Sequence, residues 1–265
     1  MLPIDKAEMN RFWPSLVWLR YKILRVLHFH AYKRSDGLIF LNQYAFEALP
    51  NKISSKVKSH KIIPHGLGWN FKKNRKKHYQ LGAKINVLYV SRINLYKHQW
   101  NVAEAVLQLN YEGFNICLKL VGGMKGPGRK KLDKVINKYG PQYSNRIEMY
   151  DVVPHGKLPS LYKSSDIFVF ASTCENHPNI LIEAMGSGLP IACSCKSSMK
   201  SILKDGGVYF DPEDVASLKS ALMKLIKEDC LRKRNGEKAF KLSSRYSWEK
   251  CANETLKYIS EVYKQ

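Results

Sequence analysis

One stretch constrains the fold more than any other: Ser172-Thr-Cys-Glu-Asn-His-Pro-Asn-Ile-Leu-Ile-Glu-Ala-Met-Gly-Ser-Gly-Leu-Pro190. The run before it, Asp166 to Ala171, is short, apolar and rich in β-branched and aromatic residues, which reads as a buried strand. Pro178 and Asn179 then start a helix, with Asn179 as its cap. Ile180 to Met185 continue it, and Gly186 and Gly188 end it. Glu175 therefore lies in a strand-to-helix loop, and Glu183 lies one turn into the helix. A helix N-terminus presents unpaired N–H groups and partial positive charge, which suit a phosphate. Carboxylates repel a phosphate, so both glutamates read as acceptors for hydroxyls on either side of it. A sugar joined to a nucleoside by a diphosphate has that layout. Spacing alone also allows a plainer reading, in which Glu183 complements the helix dipole and Glu175 is solvated.

The same strand-then-helix grammar runs along the chain. Residues 7–34 read as one long helix, with Phe12, Leu16, Leu19, Ile23, Val26, Leu27 and His30 at helical spacing and cations between them. A basic helix that also carries Trp13 and Trp18 suits an anionic membrane surface or packing on a sheet. Asp36 to Leu41 is a strand, Asn42 caps a helix to about Leu49, and Lys61 to Pro64 is a second strand. Lys72 to His78 is a dense basic run without apolar period and reads as a linker. Ile85 to Val90 is a strand, followed by a loop with Arg92 and Lys97 and a helix over residues 101–109. Cations there sit at the carboxyl edge of a parallel sheet, where such sheets bind ligands. Arginine offers a fork for phosphate and lysine a point charge. Ile116 to Val121 is a strand ending in Gly122-Gly123, where backbone can approach a phosphate closely. Further strands fall at 146–150 and 190–193, helices at 128–139 and 158–163, and Asp214 and Ser247 open the last helical segments.

Composition narrows the function classes. The chain of 265 residues carries 44 Lys and Arg against 22 Asp and Glu, a net charge of +22, and residues 1–80 hold 16 of the cations and 4 of the anions. Such a field favours polyanions, namely nucleic acid, anionic lipid or phosphorylated substrates. Against a specific nucleic-acid partner, the basic residues do not interleave with a recognition module. No apolar run approaches the roughly 20 residues of a membrane span, and Met1 to Lys6 does not read as a signal peptide. Six scattered cysteines form no paired metal pattern and read as reduced, in a cytoplasmic protein. No D-x-D occurs, so no metal or other cofactor is expected.

Glu175 and Glu183, separated by seven residues after a strand ending in Ala171-Ser172, resemble the signature of the retaining glycosyltransferases of family four, which have the GT-B fold. Arg92 and Lys97 resemble that family's Gly-Arg…Lys-Gly element, with Ser91 and His98 in place of its glycines. Gly122-Gly123 resembles a Val-Gly-Gly turn, and Val152-Val153 the apolar pair whose backbone holds the base, with Asp151 where Gly is usual. Ile63-Pro-His-Gly66 resembles the Pro-Asn-Gly turn that leaves the first domain. The resemblance implies an α/β, GT-B-type chain: a complete C-terminal Rossmann-like donor domain with a parallel sheet, plus the residual end of an N-terminal Rossmann-like domain. The implied division is 1–66 for that residual part, 67–82 for the linker, 83–246 for the donor domain and 247–265 for a helix crossing back. It implies transfer of a sugar from a UDP-, GDP- or ADP-sugar, with retention, to a saccharide or lipid-linked acceptor. Glu175, Arg92 and Lys97 take the catalytic roles, with Glu175 beside the donor sugar and the cations on the diphosphate. Glu183 binds the ribose, and Gly122, Gly123, Val152, Val153, Asn179, Ile180 and Leu181 complete the donor site. The acceptor half is expected from a missing domain or partner chain, and the place of action at the inner face of the plasma membrane. The alternatives are a non-catalytic nucleotide-sugar-binding half that needs a partner chain and, behind it, a basic nucleic-acid-binding protein.

Overall fold

The computed structural model describes residues 2–71 and 83–264; the basic run Lys72 to His78 lies outside them. The chain folds as two units. The first comprises Met1–Leu67, Cys174–Asn179 and Arg245–Gln265, the second Gly68–Thr173 and Ile180–Ser244.

The first unit holds two parallel strands, β1 (Leu38–Phe40) and β2 (His60–Ile62), paired with Ile39 opposite Lys61. Phe40, Ala45, Leu49 and Ile53 form a small core beside them. Asn42 caps the helix Gln43–Glu47 by accepting the Ala45 N–H at 2.8 Å, as its side chain suggests. The expected single helix over 7–34 is instead two, Lys6–Asn10 and Leu16–Arg34. Pro14 lacks an N–H and disfavours helix at the residue before it. Ser15 restarts the chain as a cap, accepting the Trp18 N–H at 3.2 Å. The apolar stripe expected of that helix is not buried: no residue of Leu16–Arg34 is enclosed, and Leu16, Ile23, Val26 and Leu27 are all more than half exposed. Phe12, expected within the stripe, is buried outside the helix. The last helix, Trp248–Tyr263, is capped by Ser247, and its Tyr258 hydroxyl bonds Ser59 Oγ at 3.0 Å.

The second unit is a six-stranded parallel sheet: β3 (Ile85–Val90), β4 (Ile116–Val121), β5 (Ile147–Tyr150), β6 (Ile167–Phe170), β7 (Ile191–Ser194) and β8 (Val208–Phe210). Their order across the sheet is β5-β4-β3-β6-β7-β8. Ile85 to Val90 pair residue for residue with Ile116 to Val121, and Val87 pairs with Ile167 on the other side. Every residue of β6 and β7 is buried, because helices cover both faces of such sheets and their strands read as continuous apolar runs. The helices Gln99–Tyr111 and Val215–Lys227 pack together beside it, the latter capped by Asp214, which accepts the Ala216 N–H at 2.8 Å. The chain steps outward from β3 to β4 and β5, then returns to β6 on the far side of β3. In sheets with such a reversal, ligands bind at the carboxyl ends of the two strands that flank it, here β3 and β6.

Gly66 shows how tightly the first unit closes on its last helix. A Cβ there would lie 2.1 Å from the Trp248 backbone N, whereas one at Gly156 would meet nothing within 4 Å. Gly66→Ala is expected to cost about 3 kcal/mol in urea unfolding, and Gly156→Ala to stay within about 0.5 kcal/mol; equal midpoints for the two variants would contradict this packing.

Candidate functional site

The crevice of the second unit is built from loops that follow strands. After β3, the Ser91 N–H donates to the Val121 carbonyl at 2.8 Å and the Ile93 N–H to the Gly123 carbonyl at 3.2 Å, so this loop runs beside the Gly122-Gly123 turn. Gly122 and Gly123 have φ of +109° and +59°, which a side chain rarely adopts, and a Cβ on Gly123 would come 3.1 Å from Arg92 Cγ. Arg92 and the diglycine therefore form one surface, with Arg92 exposed.

Lys97 lies farther along the same loop and is 8% exposed. Its ammonium lies 5.2 Å from the ring centroids of both Tyr96 and Phe170, aromatic faces that attract a cation. The Tyr89 hydroxyl donates to the Lys97 carbonyl at 2.6 Å. The next residue, His98, stands where a glycine is usual in the pattern and takes up a glycine-like conformation, φ 49° and ψ 32°. Its ring is 2% exposed, tilted on Trp100 at 5.1 Å and 3.4 Å from Thr173 Oγ1. Left-handed backbone costs about 1–2 kcal/mol in a non-glycine residue, and this packing offsets it. The Tyr96 carbonyl accepts the Thr173 N–H at 2.9 Å and the Ser172 hydroxyl at 3.2 Å, joining the loop after β3 to the end of β6.

After β5, the Asp151 carboxylate accepts the Met124 N–H at 3.3 Å and so braces the loop that follows Gly122-Gly123. Val152 is 73% exposed and Val153 partly buried. The helix that carries Glu183 spans Asn179–Gly186. Asn179 is its first residue, not the cap expected from sequence. Leu181 is buried in the core, so Asn179, Ile180 and Leu181 offer a ligand backbone N–H groups. Glu175 and Asn179 belong to the first unit, and the other expected site residues to the second.

Glu183 is 6% exposed. Oε1 lies 2.9 Å from His155 Nε2, and Oε2 lies 3.1 Å from the Tyr162 hydroxyl, which also approaches the Ile180 carbonyl at 3.1 Å. Burial first, then the nearby Glu183 charge, raise Tyr162 well above the ordinary tyrosine pKa, so its hydroxyl is a neutral donor. Sequence reasoning passed over His155 and Tyr162. Nothing in their spacing links them to a helix that begins beyond the next strand. Among the described residues, no group of three or more His, Cys, Asp or Glu is placed to hold a metal ion, and no helix is long and apolar enough to cross a membrane.

A fully parallel sheet in the order 3-2-1-4-5-6, with cations and glycines on the loops at its switch point, defines a doubly wound nucleotide-binding class of fold. Residues 70–242 match the family model of the Glycosyl transferases group 1, and the chain belongs to that family. Among curated proteins, it is 30% identical over 104 residues to O-antigen chain mannosyltransferase B of Escherichia coli, covering 39% of this chain and 27% of that protein. It is 27% identical over 185 residues to protein CapJ of Staphylococcus aureus, covering 69% and 46%. The chain thus spans less than half the length of these two relatives. Among solved structures, sucrose-phosphate synthase from Thermosynechococcus elongatus superposes with a TM-score of 0.81 at 18% identity, over 97% of this chain and 65% of that one. HepE of Anabaena, in complex with UDP and glucose, superposes at 0.74 and 17% identity, over 90% and 67%. These likenesses establish the GT-B fold.

Loop Cys174–Asn179, which carries Glu175, holds a second group that sequence reasoning passed over. His177 is 8% exposed, and its ring lies edge-on to His65 at 5.7 Å and beside Tyr246 at 5.3 Å. Burial pushes its pKa from 6.5 down to about 4, the His65 backbone offsetting only part of this. The unfolded chain then binds a proton that the folded chain refuses, so stability present above pH 6.5 is lost as pH falls toward about 4. The full loss is about 3 kcal/mol. His177→Leu is expected to flatten urea-unfolding free energy between pH 7 and 4.5; a slope equal to wild type would assign the acid sensitivity elsewhere.

Proposed function

We propose that this chain carries the donor half of a retaining glycosyltransferase, which moves a sugar from a nucleoside-diphosphate sugar to a saccharide or lipid-linked acceptor. The observation that carries the reading is the joined surface of Arg92 and Gly122-Gly123 beside the Lys97 loop, at the switch point of the sheet. In this reading, Arg92 and Lys97 take the diphosphate charge as the bond from the sugar anomeric carbon to the leaving oxygen breaks. The electron pair departs with the diphosphate, and backbone N–H groups of Asn179, Ile180 and Leu181 add partial positive charge. The acceptor hydroxyl attacks the oxocarbenium-like sugar on the same face and passes its proton to the departing diphosphate oxygen. Glu175 orients the sugar, Glu183 accepts the ribose hydroxyls, and the backbone at Val152 and Val153 holds the base. The protein's contribution is positioning and fixed electrostatics.

A relative named O-antigen chain mannosyltransferase B, and neighbours solved with UDP and a sugar, support a nucleotide-sugar donor and a role in surface polysaccharide, lipopolysaccharide or glycolipid assembly. The donor panel is UDP-, GDP- and ADP-sugars. Titration calorimetry with that panel is expected to find one donor that binds wild type, and Arg92→Ala or Glu183→Ala to weaken it at least about tenfold. Binding unchanged in both variants would sink the reading. An anomeric assignment of the product by NMR tests retention.

A second reading is favoured by the first unit. Among the described residues its sheet has two parallel strands, fewer than an independent sheet needs. The chain would then bind donor and rely on a further domain or partner chain for the acceptor. Turnover that appears on adding that partner separates the two readings.

Action at an anionic membrane face rests on the helix Leu16–Arg34, whose apolar and basic side chains are intermixed around its axis rather than set on opposite faces. That helix exposes Leu16, Leu19, Ile23, Val26 and Leu27 among Arg20, Lys22, Lys33 and Arg34. Cosedimentation with phosphatidylglycerol vesicles is expected, with loss at high salt and in a Leu16→Ser/Ile23→Ser/Val26→Ser variant. Equal binding to phosphatidylcholine vesicles would remove the membrane role.

A further inference from the structure

We propose that Tyr162 and His155 are positioning residues for Glu183, which set its carboxylate to accept a vicinal diol. The proposal rests on the reading of Glu183 as the ribose acceptor and names what gives that acceptor its geometry.

A carboxylate at 6% exposure needs donors, because an ion removed from water without them is strongly disfavoured. Both donors come from the connection between β5 and β6. His155 lies in the short turn His155–Lys157, and Tyr162 in the helix Leu158–Lys163 that follows. His155 Nε2 meets Oε1 at 2.9 Å, and as the partner is a carboxylate, Nε2 carries the proton. The Tyr162 hydroxyl meets Oε2 and the Ile180 carbonyl, each at 3.1 Å, and its one proton goes to the charged Oε2 as the stronger acceptor. An ionised carboxylate has about four lone-pair sites. With one donor on each oxygen, one site stays open on each, which is what two adjacent hydroxyls require. Among the described residues no other side chain donates to this carboxylate.

Both donors pack against aromatic rings. Phe71 contacts both rings, His155 at 5.6 Å and Tyr162 at 5.4 Å, each edge-to-face. Tyr162 also stacks on Phe168 of β6 at 5.6 Å, and its side chain is enclosed. The torsion at the end of a glutamate side chain is soft. Held at one oxygen by Tyr162, which stacks on the sheet, and at the other by His155, whose ring rests on Phe71, the carboxylate plane of Glu183 is set before a ligand arrives, and the ordering cost at binding falls. His155 differs from Tyr162 in one respect: its side chain is 67% exposed, so it can be changed with little loss of core packing.

The test is a ratio. UDP, GDP and ADP and their 2′,3′-dideoxy forms are titrated into the full chain, with inorganic pyrophosphate as a control for the diphosphate contacts. For the nucleotide that binds wild type, the ribose form is expected to be preferred at least about tenfold. Glu183→Gln brings the ratio near one. Tyr162→Phe and His155→Ala each reduce it to about threefold or less, while His155→Gln, which keeps an N–H donor, restores it. Pyrophosphate affinity stays at the wild-type value in all of these. A general loss of structure would weaken ribose, dideoxy and pyrophosphate ligands together and leave the ratio alone. If Tyr162→Phe and His155→Ala keep the wild-type ratio while Glu183→Gln abolishes it, the positioning role is overturned and the ribose reading stands. If wild type shows no preference, or Glu183→Gln retains it, the ribose reading falls and the positioning role with it.

Discussion

The carbonyl of Tyr96 is the tie on which the crevice depends. It accepts the Thr173 N–H at 2.9 Å and the Ser172 and Thr173 hydroxyls at 3.2 and 3.3 Å. The bond crosses the point where strand order reverses, where two neighbouring strands send their loops to opposite sides. Each such bond contributes only about 1 kcal/mol net, but a buried donor left without its acceptor costs more. The tie therefore acts as a constraint on path: it sets where the segment from Arg92 to Lys97 runs relative to the end of β6. Everything assigned to the diphosphate by side-chain charge sits on that segment.

Three departures from the family pattern read differently once this path is known. Ser91 is not among the residues with positive φ, so a side chain there needs no unusual backbone. His98 does take a left-handed conformation, and buries its ring between Trp100 and Thr173. The backbone keeps a glycine's path while the side chain recovers the strain through packing. Asp151 turns from an unexplained substitution into a brace, since its carboxylate accepts an N–H from the loop that follows the diglycine turn. At His98 and Asp151, the replacement adds a contact where the usual residue would have supplied only freedom.

The charge excess is spread unevenly, and so are its uses. Many surface cations are paired within the chain, as Lys138 is with Glu104 and Lys238 with Asp205; exposed pairs of this kind contribute little to stability. Burial and two aromatic faces single out Lys97. The helix Leu16–Arg34 mixes cations with uncovered apolar side chains, and only Phe29 and Tyr32 near its end rest, half-buried, on the small core of the first unit. Pro14 is the reason that it starts where it does. That signal is present in the sequence, though the helical periodicity on both sides of it masks the break.

Local pattern is enough to place the strands, since β-branched runs such as Ile85–Val90 and Ile116–Val121 form strands of those bounds with Arg92 and Gly122-Gly123 just beyond them. The caps Asn42, Asp214 and Ser247 are legible for the same reason: a short polar side chain bonds an N–H two or three residues ahead. Glu175 and Glu183 stand out by spacing, but spacing gives no account of what holds Glu183. Its partners His155 and Tyr162 lie 28 and 21 residues away in the chain, and His65 meets His177 across a much longer separation. Which segments become strands and helices, and which residues end them, can be read from the order of amino acids, because those choices depend on neighbours within a few positions. The strand order, the partners of Glu183 and the burial of His177 emerge only on folding, because they depend on which distant segments the parallel crossovers bring side by side.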